Sequence, residues 1–364
     1  MGRVTLQTIA DEVGVSRMTV SNAFSRPDQL SESLRTRILL TAGELGYAGP
    51  DPAARALARG TTGAVGVLLT SSLRYAFDDD VATGFLGAVA GEVAPTGLAL
   101  TLLPAATVAD VVPARDVALD GALVFSCDPD LSAVEWLTRR GLPMVFADQD
   151  PAPGVSCVNV DDRGGARAAA QHLVDLGHRD VAVLTAASGG ATGIVEDPHA
   201  DAARSKFVSR ERLLGYLDAL GAAGITAVVH RQEHNDHDEA HAAALGLLGR
   251  RDRPTGVLCF SDVIAHGVVR AAEHLGLDVP GDLSVVGFDD SPLARRLRPQ
   301  LTTVHQDVRE KGRLAAAALK DAMAHHRAGT QHHAEHVVLP TELVVRDSTA
   351  PAPRTRRSLS GGAR

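Results

Sequence analysis

Residues 13–24 read VGVSRMTVSNAF, and they separate two kinds of side chain. At helical spacing Arg17 and Ser21 lie four apart, as do Met18 and Asn22, so these four share one face. Val20, Ala23 and Phe24 fall on the other. An arginine can fork onto guanine O6 and N7, an asparagine onto adenine N6 and N7, and a methionine can lie against a thymine methyl. A packing helix has no use for that set, whereas a helix that reads bases does. A second group of polar residues recurs at the ends of apolar runs: Asp148, Ser261, Asp262, Asp289 and Asp290. Carboxylates and hydroxyls at strand ends suit a polar ligand. The paired acids Asp161-Asp162 and Asp289-Asp290 have no nucleophile or base beside them in a recognisable motif, and no Gly-rich phosphate loop occurs. The expectation is a binding protein, not an enzyme, and no cofactor.

These residues need elements to position them. Thr5 is placed to cap a helix with Leu6, Ile9, Ala10 and Val13 at i, i+3, i+4, i+7, and Gly14 stops it. Ser16 caps the second helix, Arg26-Pro27 ends it, and Ser31 caps a third with Leu34, Ile38, Ala42 and Leu45 inward, closing at Gly46. Helix, tight turn and helix is the plan that offers its second helix to the DNA major groove. The alternative is a three-helix capping domain with a solvated polar face. Next comes PAARALARG (52–60), a segment too short to persist as a helix alone in water. It reads as a hinge, or else as a plain linker with Leu57 a surface apolar residue.

From residue 63 apolar runs alternate with helical stretches, with strands expected at 64–70, 98–104, 121–126, 143–148, 180–185, 226–230, 256–260 and 283–289. Their continuous Val, Leu and Ala content implies strands buried on both faces, hence an α/β architecture of parallel sheets flanked by helices. At 364 residues the chain suggests two or three domains, and aromatics at 3% leave the cores to Ala, Val and Leu.

The net charge is −8, but residues 1–60 carry seven Arg against six acids, so the excess negative charge lies in the remainder. No apolar run approaches the ~18 residues that span a bilayer, and acids interrupt the N-terminal stretch where a secretory signal needs apolar residues. The expectation is a cytoplasmic protein with no membrane partner. Cys127, Cys157 and Cys259 are far apart and read as buried thiols. Asn235, as the cap of a new helix, breaks the series His230, His234, His237 and His241, so it cannot share a face. Those four read as solvated; His332, His333 and His336 lie near the last strand, and no metal site is expected there either. The Pro, Ser, Gly and Arg residues of 349–364 read as a disordered tail.

VTLQTIADEVGVSRMTVSNAF, with LRTRILLTAGELGYAGPDPAARALARG after it, resembles the DNA-binding head of the lactose-repressor (LacI/GalR) family. The likeness continues to about residue 348 through DDRGGARAAAQHLVDLGHRDVAVLT, GVLCFSDVIAHGVVRAAEHLGLDVPGDLSVVGFDDSP and LPTELVVRDST. It implies a head at 1–49, a hinge at 50–61 and an effector-binding core at 62–348. That core would be two lobes, like periplasmic sugar-binding proteins, one near 62–160 plus 292–325 and the other near 161–291 plus 326–348. By the same resemblance Arg17, Met18 and Asn22 read bases, while Thr5, Ser16, Thr19, Ser21 and Tyr47 touch or orient on phosphates. The hinge would fold on double-stranded operator DNA, with Ala54 among the contacts and Leu57 wedged into the central base step.

Asp148, Arg212, Ser261 and Asp289 fall on recurrent effector contacts of the family, and Asp289 also reads as a strand-end cap. Asn22 stands where many members have Arg, which implies a different operator. Ser25 and Asp51 depart from the usual Asn. Two segments depart further. SSLRYAFDDDVATGF fills the first strand-to-helix loop and offers Tyr75, Phe77 and Asp78 to the cleft, and residues 186–209 form a long connection expected to cover it. The implied protein is a homodimeric regulator, reading a pseudopalindromic operator under control of a small polar effector such as a sugar. The rival readings are a solute-binding protein and a cleft enzyme.

Overall fold

Side-chain caps decide where the N-terminal helices begin. Thr5 accepts the Thr8 amide at 3.3 Å to open α1 (Leu6–Val13), and left-handed Gly14 closes it. Ser16 opens α2 (Arg17–Ser25) by accepting from the Thr19 amide at 3.0 Å, and Ser31 opens α3 (Glu32–Glu44). Ile9, Ala10, Val20, Ala23, Ile38 and Ala42 are sealed between the three helices. A further helix, α4 (Pro52–Arg59), starts where Asp51 accepts the Ala54 amide at 3.3 Å. The computed structural model describes residues 4–69, 73–105, 111–126, 132–186 and 192–353. These helices belong to one unit, Met1–Gly63, and the rest of the chain to a second, Ala64–Arg364.

The second unit holds β1 (Ala64–Leu69), β2 (Ala99–Pro104), β3 (Gly121–Phe125), β4 (Met144–Ala147) and β5 (Ser156–Val160). After these come β6 (Val181–Ala186), β7 (Gly193–Ile194), β8 (Val228–Gln232), β9 (Gly256–Cys259), β10 (Ser284–Asp289) and β11 (Thr302–Gln306). Two short strands, β12 (His336–Leu339) and β13 (Thr341–Val344), end the series. The first sheet runs β12-β5-β4-β3-β1-β2 and is parallel throughout; the second runs β13-β11-β10-β9-β6-β8-β7, antiparallel only at its two edges. Alternate residues of β1 and β3 feed different cores, Val67 and Leu123 on one face, Leu68 and Val124 on the other. Helices therefore cover both faces, as continuous apolar strands require.

The chain passes between the sheets at Asp161, at Asp307 and at Pro340, which corrects the lobe assignment implied by resemblance. Residues 302–306 pair in parallel with β10, so they belong to the second lobe and not the first. The helix Val308–Ala328 packs Leu319 and Met323 against Gly121, where an added Cβ would meet them at 3.1 and 3.0 Å, so it belongs throughout to the first lobe. β12 also joins the first lobe, through β5. The expected tail is corrected as well. Residues 349–353 are held by the second lobe, Thr349 against His172 at 3.0 Å and the Ala352 amide on the Leu176 carbonyl at 2.8 Å. Residues 354–364, and Cys127, lie outside the described residues.

The helices Asp162–Asp175 and Phe207–Ala222 touch at Gly215, where an added Cβ would strike the Arg163 carbonyl and lie 2.8 Å from Ala166 Cβ. Glycine-to-alanine in a helix ordinarily stabilises by ~1 kcal/mol. Overpacking costs about 1–3 kcal/mol and here acts on backbone that cannot yield. Gly215→Ala is therefore expected to lower the urea midpoint of unfolding; a higher midpoint would show that the helix pair has slack.

Candidate DNA-reading face and ligand cleft

On α2, Arg17 and Met18 are exposed, the latter 69%, while Ser21 and Asn22 are half-buried one turn later. The Ser16 and Thr19 hydroxyls lie 2.8 Å apart at the helix start. Asn22 donates to Gln29 Oε1 at 3.2 Å, which orients its amide and leaves its second N–H and its carbonyl oxygen for other partners. Thr5 lies at the start of α1, and Tyr47 packs edge-on against Phe24 with ring centroids 5.7 Å apart. Ala54 and Leu57 are exposed on α4, Leu57 by 86%. The expected polar patch is thus present on one helix face. Tyr47 packs its ring on the core around Phe24 and is only partly buried.

In the second unit the parallel strands end around a cavity of about 140 Å³. Asp148 follows β4, Ser126 follows β3, Phe260 follows β9, and Asp289 and Gln306 end β10 and β11; all five line it. Ser126, Asp148 and Asp289 have φ of 50°, 55° and 111°, a region costly for side chains other than glycine's. These turns swing the strand-end side chains toward the cavity, and the surrounding packing holds them there.

Arg212 anchors the floor. It reaches in from the helix Phe207–Ala222, donating from Nε to Asp162 Oδ1 at 2.8 Å and from Nη1 to the Phe260 carbonyl at 2.6 Å and Asp289 Oδ1 at 3.1 Å. Its guanidinium stacks 3.6 Å from the Phe288 ring centroid. Burial disfavours the cation, but Asp289 and Asp162 more than offset this, and the Arg212 pKa stands above its usual value. The same burial pushes both Asp289 and Asp162 up, against the pull of Arg212.

Asp289 Oδ1 also accepts from Gln306 Nε2 at 2.7 Å. Gln306 Oε1 then accepts from the buried Lys311 ammonium at 3.0 Å, and Lys311 donates to Asp148 Oδ2 at 2.6 Å. One chain of bonds thus runs Asp148–Lys311–Gln306–Asp289–Arg212–Asp162 across the crossover at Asp307. Among the described residues no donor reaches Asp148 Oδ1, although it is buried.

The expected ligand residues divide. Asp148, Arg212 and Asp289 meet at the cavity. Ser261 does not line it; fully buried, it caps the helix Asp262–His274 and donates to Asn235 Oδ1, and Asn235 in turn lines the cavity and donates to Asp79 Oδ2 at 3.3 Å. Phe77 is 62% exposed and points elsewhere, because Leu73–Asp78 forms a helix that turns Ala76 to the cavity. Tyr75 lies on that helix with its side chain outside the described residues, as are residues 70–72.

Asp262 and Asp290 serve the fold: Asp262 binds the Thr303 hydroxyl and the Ser291 amide, Asp290 binds Arg295 and Arg346. Asp236, not Asn235, caps the helix His237–Leu248. Of the long connection, Gly193–Ile194 pairs with β8 and the helix Pro198–Arg204 is tied by Asp201 to Arg231 at 2.7 Å; Lys206 and Ser209 at its end line the cavity. Cys157 and Cys259 are buried free thiols, and burial pushes Cys157 up to about 12.

Lys311, Gln306, Asn235 and Asp79 were missed in the sequence. A signal existed for Lys311, which sits on the stripe Val308, Gly312, Ala315, Leu319 and Met323, where an exposed lysine has no place.

Comparison with known proteins matches this architecture in both units. Residues 5–49 match the bacterial regulatory proteins of the lacI family, and residues 170–349 match the periplasmic binding protein-like domain. An HTH-type transcriptional regulator of Mycolicibacterium smegmatis is 38% identical over 332 residues, covering 87% of this chain and 90% of that protein. The crystal structure of a LacI-family transcriptional regulator from Corynebacterium glutamicum is 32% identical with a TM-score of 0.69, covering 97% of this chain and 100% of the other. A complex of the regulator CelR with cellobiose is 27% identical with a TM-score of 0.67, covering 95% and 100%. No described helix is long and apolar enough to cross a membrane. The chain belongs to the LacI family of bacterial transcriptional regulators.

Proposed function

We propose that this regulator is a repressor that binds a pseudopalindromic operator as a homodimer and changes its grip when a neutral, polyhydroxylated molecule enters the cleft. The observation that carries the ligand class is that Asp148 Oδ1, a buried acceptor without a donor among the described residues, and the Arg212 guanidinium belong to side chains lining the same cavity. Hydroxyl groups donate to the first and accept from the second, so a sugar or related polyol satisfies both. Cellobiose in the CelR complex is a ligand of that chemistry. The ligand acts by binding one arrangement of the lobes better than another, and a hundredfold change in operator affinity requires about 2.7 kcal/mol of such preference. Selecting the operator from random duplexes and screening sugars and polyols for its release tests the whole reading; binding without sequence preference would remove it.

Three variants separate its parts. Asn22→Ala is expected to cost roughly 1–3 kcal/mol on the selected operator and to relax one position in each half-site, measured by fluorescence anisotropy on single-substitution duplexes. An equal loss on every duplex would assign Asn22 to the DNA backbone.

Leu57→Ala should weaken specific binding far more than non-specific binding, and the amides of 52–58 should gain hydrogen-exchange protection on the operator. Full protection without DNA would exclude folding coupled to binding.

Arg212→Ala would strip two buried carboxylates of their partner, at about 3–5 kcal/mol. Arg212→Lys keeps the charge and loses the fork, so it is the better test. It should hold the operator and raise the midpoint for ligand-induced release at least tenfold. An unchanged midpoint would take Arg212 out of ligand recognition.

A further inference from the structure

A cluster far from the cleft chemistry lies at the end of the helix Val308–Ala328. Asp321 and His325, four residues apart, share one face of it. Gly329 ends the helix in the left-handed conformation, and the chain turns back so that His332 returns to Asp321. His332 Nδ1 stands 3.3 Å from Asp321 Oδ2, and His325 Nε2 stands 3.8 Å from the same oxygen. The three ligand atoms all lie within 4.8 Å of one another. Donors 2.0–2.2 Å from a tetrahedral zinc ion stand roughly 3.3–3.6 Å apart, so only a small rotation of His325 is needed.

Hydrogen bonds behind the cluster hold each imidazole with one nitrogen facing inward. Thr330 Oγ1 lies 2.8 Å from His325 Nδ1 and donates to the His325 carbonyl at 3.4 Å, so it accepts from Nδ1–H and leaves the Nε2 lone pair toward Asp321. Ser156 Oγ lies 3.0 Å from His332 Nε2 and accepts from the Glu335 amide; its second lone pair can accept Nε2–H, the tautomer that leaves the His332 Nδ1 lone pair toward the carboxylate. That Nδ1 is buried with no hydrogen-bond partner among the described residues. Oriented imidazoles with outer hydrogen bonds are the usual support of a metal site. The sequence grouped His332 with His333 and His336, but His336 instead meets Asn159 at 3.2 Å.

We propose that Asp321, His325 and His332 bind a divalent transition-metal ion of the zinc class, with a fourth position open to water. Asp321 is 60% exposed on its side chain and His332 only 19%, so the site opens to solvent on the Asp321 side. The ion would pin the returning loop 329–335 to the last turns of the helix, directly ahead of the edge strand β12.

The test uses untagged full-length protein stripped with EDTA, titrated with Zn²⁺ against a chromophoric chelator and with Co²⁺ by visible absorption. One Zn²⁺ per chain is expected with micromolar or tighter affinity, displacing Co²⁺ from a four- or five-coordinate spectrum. His325→Ala and His332→Ala should each weaken that binding at least tenfold, while their melting temperatures without metal stay at the wild-type value. Ser156→Ala should weaken it severalfold through the freed imidazole. The other close group, Asp236, His237 and Asp238, consists of sequence neighbours whose first member is occupied as a helix cap, so His237→Ala should change nothing. Absence of micromolar binding, or binding unaltered in both His325→Ala and His332→Ala, would overturn the assignment.

Discussion

A buried lysine sets the geometry of the cleft. The Lys311 ammonium is 1% exposed, and a charge so far from water is tolerable only with near-ideal partners. Asp148 supplies the opposite charge from the first lobe and Gln306 an acceptor from the second, so the lysine fastens one lobe to the other at the crossover. Gln306 passes the constraint to Asp289, and Asp289 to Arg212 and Asp162. Removing any member leaves its neighbour buried and unpaired, which makes the floor an interdependent unit. The left-handed turns at Asp148 and Asp289 are what bring carboxylates from two sheets within reach of it.

The head and the cleft were legible in the sequence to different depths. In the head the signals are local: Thr5, Ser16 and Ser31 cap the helices they were expected to cap, and Gly14 ends the first. The strand ends carrying Asp148 and Asp289 were equally visible, because the apolar runs PMVFA and VVGF precede them. Strands such as β11, TTVHQ, were not seen, since a short run with four polar members carries no apolar signature, and its absence displaced the crossovers. Polar residues at strand ends also look alike in sequence. Asp289 faces the cavity, while Asp262 next to Ser261 is spent on Thr303 and Ser291, and only the packing of the following helix separates the two roles.

The division between recognition and support explains how one fold carries different ligands. Asp290, Asp262 and Ser261 hold turns and caps, and the cavity side chains are positioned by them without being shared. Asn235 shows the arrangement in small: Ser261 supports it from beneath, and its own amide reaches Asp79 at the cavity wall. Because the chain crosses between lobes beside Lys311, a ligand that alters the Asp148–Asp289 separation acts on the same bonds that join the lobes. On the proposed function, ligand recognition and lobe arrangement share one network, without a separate path between distant sites.

A double-mutant cycle on unfolding free energy, with Lys311→Met and Asp289→Asn, tests this interdependence most directly. The two side chains share no hydrogen bond with each other, and Gln306 bonds to both. An interdependent floor predicts a coupling of about 1 kcal/mol or more between them. Additive effects, within roughly 0.3–0.5 kcal/mol, would contradict it and reduce the floor to a set of independent pairs.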